Sequence, residues 1–346
     1  MTLDHAWLPG LRGRGRLNLN ESAYGPLPEV ARELRAQMSE VNRYPEFLPD
    51  RTRSVVATHL GVDDESVSVG AGATGVITQA LQDAARRGLD AGIVDPVMVT
   101  AIPTFDGYPI IATMLGLRFR GMPLDPAGRV VLGDLRAAVT ADTVAVVICS
   151  PHNPTGTVVD EQELHDFIDD LPEHVIVVLD EAYIEFAERP PDLMRLIGTH
   201  ERLLVIRTFS KAYGLAALRV GYGVGAQRLV GRVREFEMPF SVGPLAAAAV
   251  PLCLSRQDEL TRRVNAMRTE RAKMAALLAA SWRAPVAGEG NFLFVGGPAG
   301  VELGSVLASC GVLVRSYRSD GVRITVGDDA ATAEIGAVLH TVTATV

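Results

Sequence analysis

The run VAVVIC at 144–149, followed at once by SPHNPTG at 150–156, decides how this chain folds. Six apolar residues in succession, four of them β-branched, suit a strand buried on both faces, as in a parallel sheet. Ser150-Pro151 then ends the run. The same design occurs twice more. VIVVL at 175–179 leads into Asp180-Glu181-Ala182-Tyr183, and LLVI at 203–206 leads on to Ser210-Lys211. Between the first two runs, DEQELHDFIDDL at 160–171 reads as an amphipathic helix, with Asp160 as its N-cap and Glu163 three residues later. Strand, helix and strand in this rhythm predict a parallel α/β sheet with right-handed crossovers. Ligands of open α/β sheets bind beyond the carboxyl ends of the strands, so the three polar clusters are expected to line one crevice.

Upstream, a short strand at 66–69 runs into GAGATG at 70–75, which opens an apolar helix at 76–85. Glycines let a backbone approach a ligand closely, and a helix start offers N–H groups to a phosphate. The G-x-G-x-x-G spacing is met, but no acidic residue ends a second strand in the place a dinucleotide needs, since Asp95 is followed by Pro96. The motif supports a phosphate site and not specifically a dinucleotide. Before it, Pro9, Gly10, Gly25, Pro26 and Pro28 mark an extended arm, followed by a helix at 28–40 that stops before the turn Asn42-Arg43-Tyr44-Pro45.

Past Pro244 the texture changes. An Ala- and Arg-rich helical stretch spans 258–281; strand-like pieces follow at 291–295, 312–315 and 322–326, then a last helix. The expected architecture is α/β: a large domain at 31–244 with a mainly parallel sheet flanked by helices, and a smaller α+β domain at 245–346, to which the arm at 1–30 returns.

A chain of 346 residues with 48% hydrophobic and 21% charged residues is an ordinary globular protein, too long for one small core. A net charge of −8 without a long basic run argues against nucleic-acid and anionic-membrane partners, and the Gly-spaced Arg12, Arg14 and Arg16 read as a solvated loop. Cys149, Cys253 and Cys310 show no CxxC spacing and the seven histidines no HExxH. A disulfide framework and a metal site are therefore not expected, and a reducing compartment is. The N-terminus lacks the basic and apolar regions of a signal peptide, and no apolar run reaches membrane-spanning length, so a cytoplasmic location is expected.

Three residues suggest chemistry. Lys211, just past a buried strand and flanked by Phe209, Ala212 and Tyr213, is placed to lose its charge by desolvation, which a lysine nucleophile needs. Asp180 follows five apolar residues, and a buried carboxylate is costly unless it meets a cation; a protonated pyridine nitrogen is one such partner. Tyr183 could donate its hydroxyl to a phenolate oxygen on the same ring. Each alone also has a plainer reading: a surface lysine, an aspartate capping a loop, a packing tyrosine.

In order and spacing, LNLNESAYGPLP, NRYPEF, VGAGATG, PTFDGY, SPHNPTG, LDEAYIEF, RTFSKAYGLAALRVGY, NFLF and VRITVG resemble the class I/II aminotransferases of the aspartate aminotransferase fold. Within these the chain is most similar to the histidinol-phosphate and aromatic aminotransferase branch. The resemblance covers Asn18 to Gly327. It implies a pyridoxal 5′-phosphate (PLP) enzyme with Lys211 as the Schiff-base lysine, Asp180 on the pyridine nitrogen, and Tyr183 and Asn153 on the phenolate oxygen. It implies Phe105 stacked on the ring, and Gly72, Ala73, Thr74, Thr208, Ser210 and Arg219 around the phosphate. Tyr44 resembles a tyrosine that reaches the neighbouring subunit's cofactor, which implies a homodimer. Arg323 resembles the arginine holding the substrate carboxylate or phosphate, and Tyr24 and Arg315 are further substrate-side candidates.

Departures from the family pattern stand at Trp7, where a tyrosine is common in the arm, at Ala73-Thr74, where an acidic residue is common, and at His152, where asparagine is frequent. The implied activity is ping-pong transfer of an amino group between an amino acid, or histidinol phosphate, and a 2-oxo acid. Trp7 points away from phosphate-bearing substrates and towards an aromatic or apolar amino acid. Decarboxylase, lyase and cyclase chemistry use the same constellation and are the alternative. A PLP-sensing transcription regulator is a third reading, disfavoured because the motifs begin at Asn18 and leave no room for a DNA-binding domain ahead of them.

Overall fold

The computed structural model describes residues 15–343. Its strands are β1 (Val67–Gly70), β2 (Val97–Ile102), β3 (Arg118–Pro123), β4 (Thr143–Cys149), β5 (Ile176–Asp180), β6 (Leu203–Thr208), β7 (Gly221–Gly225), β8 (Phe292–Gly296), β9 (Arg315–Tyr317) and β10 (Gly321–Thr325). Seven form one sheet in the order β1-β7-β6-β5-β4-β2-β3, and three form another in the order β8-β10-β9. The large sheet is parallel from β3 through β6, with β7 antiparallel to both β6 and β1. The small sheet is antiparallel throughout.

The continuous apolar runs have a simple cause. Val146, Ile148, Val177, Leu179, Leu203 and Val205 enter the core on one face of the large sheet. Their neighbours Ala145, Val147, Cys149, Ile176, Val178, Leu204 and Ile206 enter the core on the other. With helices on both faces, neither set meets water, and each buried Val, Leu or Ile contributes roughly 1.5–3 kcal/mol. The helix Gly72–Asp90 covers the second face, burying Val76, Ile77, Ala80, Leu81 and Ala84 at helical spacing. The helix Glu161–Asp169 begins as its sequence predicts: Asp160 accepts hydrogen bonds from the backbone N–H groups of Gln162 and Glu163.

A third core gathers Leu293, Val295, Leu303, Leu307, Val322, Ile324 and Ile335 around the small sheet, and Leu17 joins it. Residue 17 is anchored there through its backbone: Leu17 N donates to Leu313 O at 2.8 Å, and Leu17 O accepts from Thr325 N at 2.9 Å. This corrects the strand expected at 312–315. Leu313 is engaged by the arm through a bridge to Arg16, and pairing with β10 begins only at Arg315. The 25-residue helix Gln257–Ser281 belongs to two cores: Leu260, Val264 and Met267 pack in the first, Met274 and Leu278 in the third.

Candidate active site

The three strand-end clusters meet. Asn153 follows β4, Asp180 closes β5, and Ser210 and Lys211 follow β6; all four line one cavity of about 360 Å³. Ala73, Thr74, Phe105, Tyr183, Thr208, Arg219, Arg315 and Arg323 line it too.

Lys211 Nζ donates to the carbonyls of Leu19 and Asn20, each at 3.1 Å, and lies 5.7 Å from the centre of the Tyr183 ring. Burial lowers its pKa from 10.5 to about 7, helped by the positive charges of Arg323 and Arg219 and opposed by Glu21 and Asp180. A large fraction of neutral, nucleophilic amine is therefore present at neutral pH. Asp180 is 4% exposed. Its carboxylate accepts from the Tyr108 hydroxyl at 2.6 Å and from the Ala182 backbone N–H at 3.0 Å. Burial raises its pKa, against the pull of those two donors and of Lys211. Tyr183 accepts at its hydroxyl from Asn20 Nδ2 at 2.9 Å, and burial holds that hydroxyl firmly protonated.

On another wall lies a cluster of donors. The helix Gly72–Asp90 starts there, and Arg219, in the left-handed region at φ 53°, donates to Ser210 Oγ at 3.2 Å. Ser210 Oγ also accepts from Thr208 Oγ1 at 3.1 Å. Gly72 has φ +74°, which favours glycine, and a Cβ there would stand 2.5 Å from Arg219 Nη2 and displace the guanidinium. A helix start, an arginine and two hydroxyls make an anion site. Arg323, which lines the same cavity, is 6% exposed. It donates to Asn153 Oδ1 at 2.6 Å, to the Tyr317 hydroxyl at 3.1 Å and to Asn18 O at 2.6 Å, while its Nε is buried without a partner.

The family model for class I and II aminotransferases matches residues 15–338. The chain belongs to the class I and II aminotransferases. The aminotransferase is 39% identical over 316 residues to an aromatic amino acid aminotransferase of Thermobifida fusca, covering 90% of this chain and 86% of that one. It is 37% identical over 331 residues to one of Nocardia farcinica, covering 93% and 90%. Its fold matches histidinol-phosphate aminotransferase from Sinorhizobium meliloti in complex with pyridoxal 5′-phosphate, with a TM-score of 0.83 and 25% identity over 95% of this chain and 91% of that one. The aminotransferase uses PLP, and its cavity suits the cofactor. Among the described residues no cation forms an ion pair with the buried Asp180, whose carboxylate a protonated ring nitrogen would match, and the anion site suits the phosphate.

Some residues of interest do not line this cavity, among them Tyr44, which is expected to reach a neighbouring subunit's cofactor. Tyr44 is 84% exposed, its ring 4.9 Å from that of Phe240, and does not line the cavity of its own chain. Nor does Tyr24, which lies under the Arg263 guanidinium at 5.6 Å. His152 turns away from the cavity: it is fully buried, bonds to Pro103 O at 2.9 Å, and burial lowers its pKa to about 4. Trp7 lies outside the described residues. Sequence reasoning missed Tyr108, Asn18, Asn20, Tyr317 and Asp106. A signal existed for Tyr108, one helical turn beyond Phe105 within PTFDGY, where the two rings meet edge to face at 5.4 Å.

Proposed function

We propose that this aminotransferase moves the amino group of an aromatic amino acid to a 2-oxo acid, working as a homodimer in the cytoplasm, in amino-acid metabolism. The observation that carries the reading is Arg323: a buried guanidinium, held by three neighbours and with Nε left over, in a cavity whose lining also includes the apolar side chains of Phe105, Ile77 and Leu19. That pairing fits a substrate with an α-carboxylate at one end and a flat apolar side chain at the other. The aromatic amino acid aminotransferases of Thermobifida fusca and Nocardia farcinica support the substrate class.

Bound PLP supplies a carbonyl carbon for the amino group and a ring that withdraws electrons. In this reading the chain's residues do the rest. Lys211 takes the proton from the substrate Cα and later returns one, and burial beside Arg323 and Arg219 favours the neutral amine that can do so. Asp180 holds a proton at the ring nitrogen. Tyr183 and Asn153 hold the ring oxygen, Phe105 flanks the ring, and Arg219, Ser210, Thr208, Gly72, Ala73 and Thr74 hold the phosphate. Exposed Tyr44, Phe47 and Phe240 form an aromatic patch that supports dimer formation. Among the described residues, three free thiols support a reducing location, and no helix is long and apolar enough to cross a membrane.

Specificity constants for phenylalanine, tyrosine and histidinol phosphate test the reading. Phenylalanine or tyrosine should lead; a clear lead for histidinol phosphate refutes the aromatic assignment.

A further inference from the structure

Arg315 and Arg323 are direct partners across the antiparallel pair β9–β10, so the two arginines project from one face of the small sheet into one cavity. They differ sharply in surroundings. Arg323 is buried and held by three acceptors, whereas the Arg315 side chain is 40% exposed and its Nη2 donates to Asp106 Oδ2 at 2.7 Å. Asp106 stands at the N-cap of the helix Gly107–Met114, yet its side chain makes no capping hydrogen bond there. The backbone there is already helical, φ −58° and ψ −16°, which leaves the carboxylate free of a capping role. Its one side-chain partner among the described residues is an arginine that lines the substrate cavity, and Asp106 lines the cavity itself.

We propose that Asp106 is a specificity-determining residue: by neutralising Arg315 it keeps the outer end of the cavity unattractive to anionic side chains. This rests on the aromatic reading above and deepens it. An anion bound at Arg315 must either displace the Asp106 carboxylate or sit beside it. An apolar ring does neither. Because the pair is half exposed it is weak and screened, so it biases selection without closing the site to a carboxylate or phosphate. The disfavoured chemistry is any second anionic group on the substrate, whether the distal carboxylate of a dicarboxylic amino acid or a phosphate.

Two measurements on the holoenzyme test this. The first is the ratio of kcat/KM for glutamate, and separately for histidinol phosphate, to that for phenylalanine. The second is the affinity ratio of glutarate to 3-phenylpropionate by calorimetry, which needs no turnover. In Asp106→Asn every ratio should rise about three- to ten-fold, the size expected for one partly screened charge. In Asp106→Asn combined with Arg315→Gln the rise should vanish, an outcome a merely structural role for Asp106 does not give. A rise for glutamate and glutarate but not histidinol phosphate assigns the effect to carboxylates, and the reverse to phosphates. Unmoved ratios in Asp106→Asn overturn the proposal, as does a rise that survives loss of Arg315. A wild type that turns over phenylalanine poorly defeats the aromatic assignment instead, and the calorimetric ratio then still decides on Asp106.

Discussion

The Tyr108 hydroxyl donates a 2.6 Å hydrogen bond to Asp180 Oδ2 from a ring with no exposed surface. The Ala182 N–H donates to Oδ1, and Asp180 also lines the cavity, so acceptor capacity remains for a group bound there. Tyr108→Phe removes a donor to a buried charged acceptor and should cost about 1.5–3 kcal/mol of stability, read as a lower Tm. Asp180→Asn should differ: it keeps the fold and binds cofactor, yet loses most turnover. Near-normal turnover in Asp180→Asn would give this carboxylate a structural role only.

Lys211 makes stability depend on pH in a known direction. Its folded pKa of about 7 lies below the ordinary 10.5, so the charged form is the one penalised. In cofactor-free protein the penalty is complete below pH 7, shrinks between 7 and 10.5 by up to about 1.4 kcal/mol per pH unit, and is gone above. Subtracting the melting curve of Lys211→Met from that of wild type isolates this contribution. A flat difference across that window means the amine is not desolvated. Borohydride reduction of the holoenzyme should label Lys211 and no other lysine.

Gly72→Ala should weaken cofactor binding. The new methyl meets Arg219 Nη2 and the residue keeps an unfavourable positive φ, so the guanidinium must leave its place beside Ser210. A loss of about ten-fold in cofactor affinity, or 1.4 kcal/mol, is expected by equilibrium dialysis. Unchanged affinity would remove Arg219 from the phosphate site.

Light scattering should give a dimer. Tyr44 and Phe47 each meet the Phe240 ring, at 4.9 and 5.2 Å, while all three are exposed, and Phe240 sits at φ 58°. Tyr44→Ala should raise the cofactor dissociation constant if the tyrosine reaches a second chain's site. A fully active monomer contradicts this.

The sequence was most legible where burial is total. The runs at 144–149, 175–179 and 203–206 announced β4, β5 and β6 because both faces of those strands are dry, and the polar residues ending them reach the cavity together. β7 was silent for the opposite reason. Gly221, Gly223 and Gly225 carry no strand propensity, but a Cβ on Gly221 would lie 2.5 Å from Ala73 N. The strand is glycine-rich so that the helix start at Gly72 can press against it, and no periodicity records that need. β3, at the sheet edge with RFRGMP, lacks a buried face to make a pattern. Tyr24 was a substrate-side candidate, and its chain leaves it outside the cavity; Tyr44, expected to reach a neighbouring subunit's cofactor, lies outside the cavity of its own chain as that role requires.

The helix Gln257–Ser281 has one further consequence. At about 1.5 Å per residue it is a rod of roughly 37 Å, with Leu260, Val264 and Met267 rooted in one core and Met274 and Leu278 in another. Neither core can melt without stripping apolar partners from the shared rod, so heat should read both as a single cooperative event. The same rod defeats dissection. Any cut that separates the two cores leaves half a helix with a bare apolar stripe, and the two parts must be made, and lost, together.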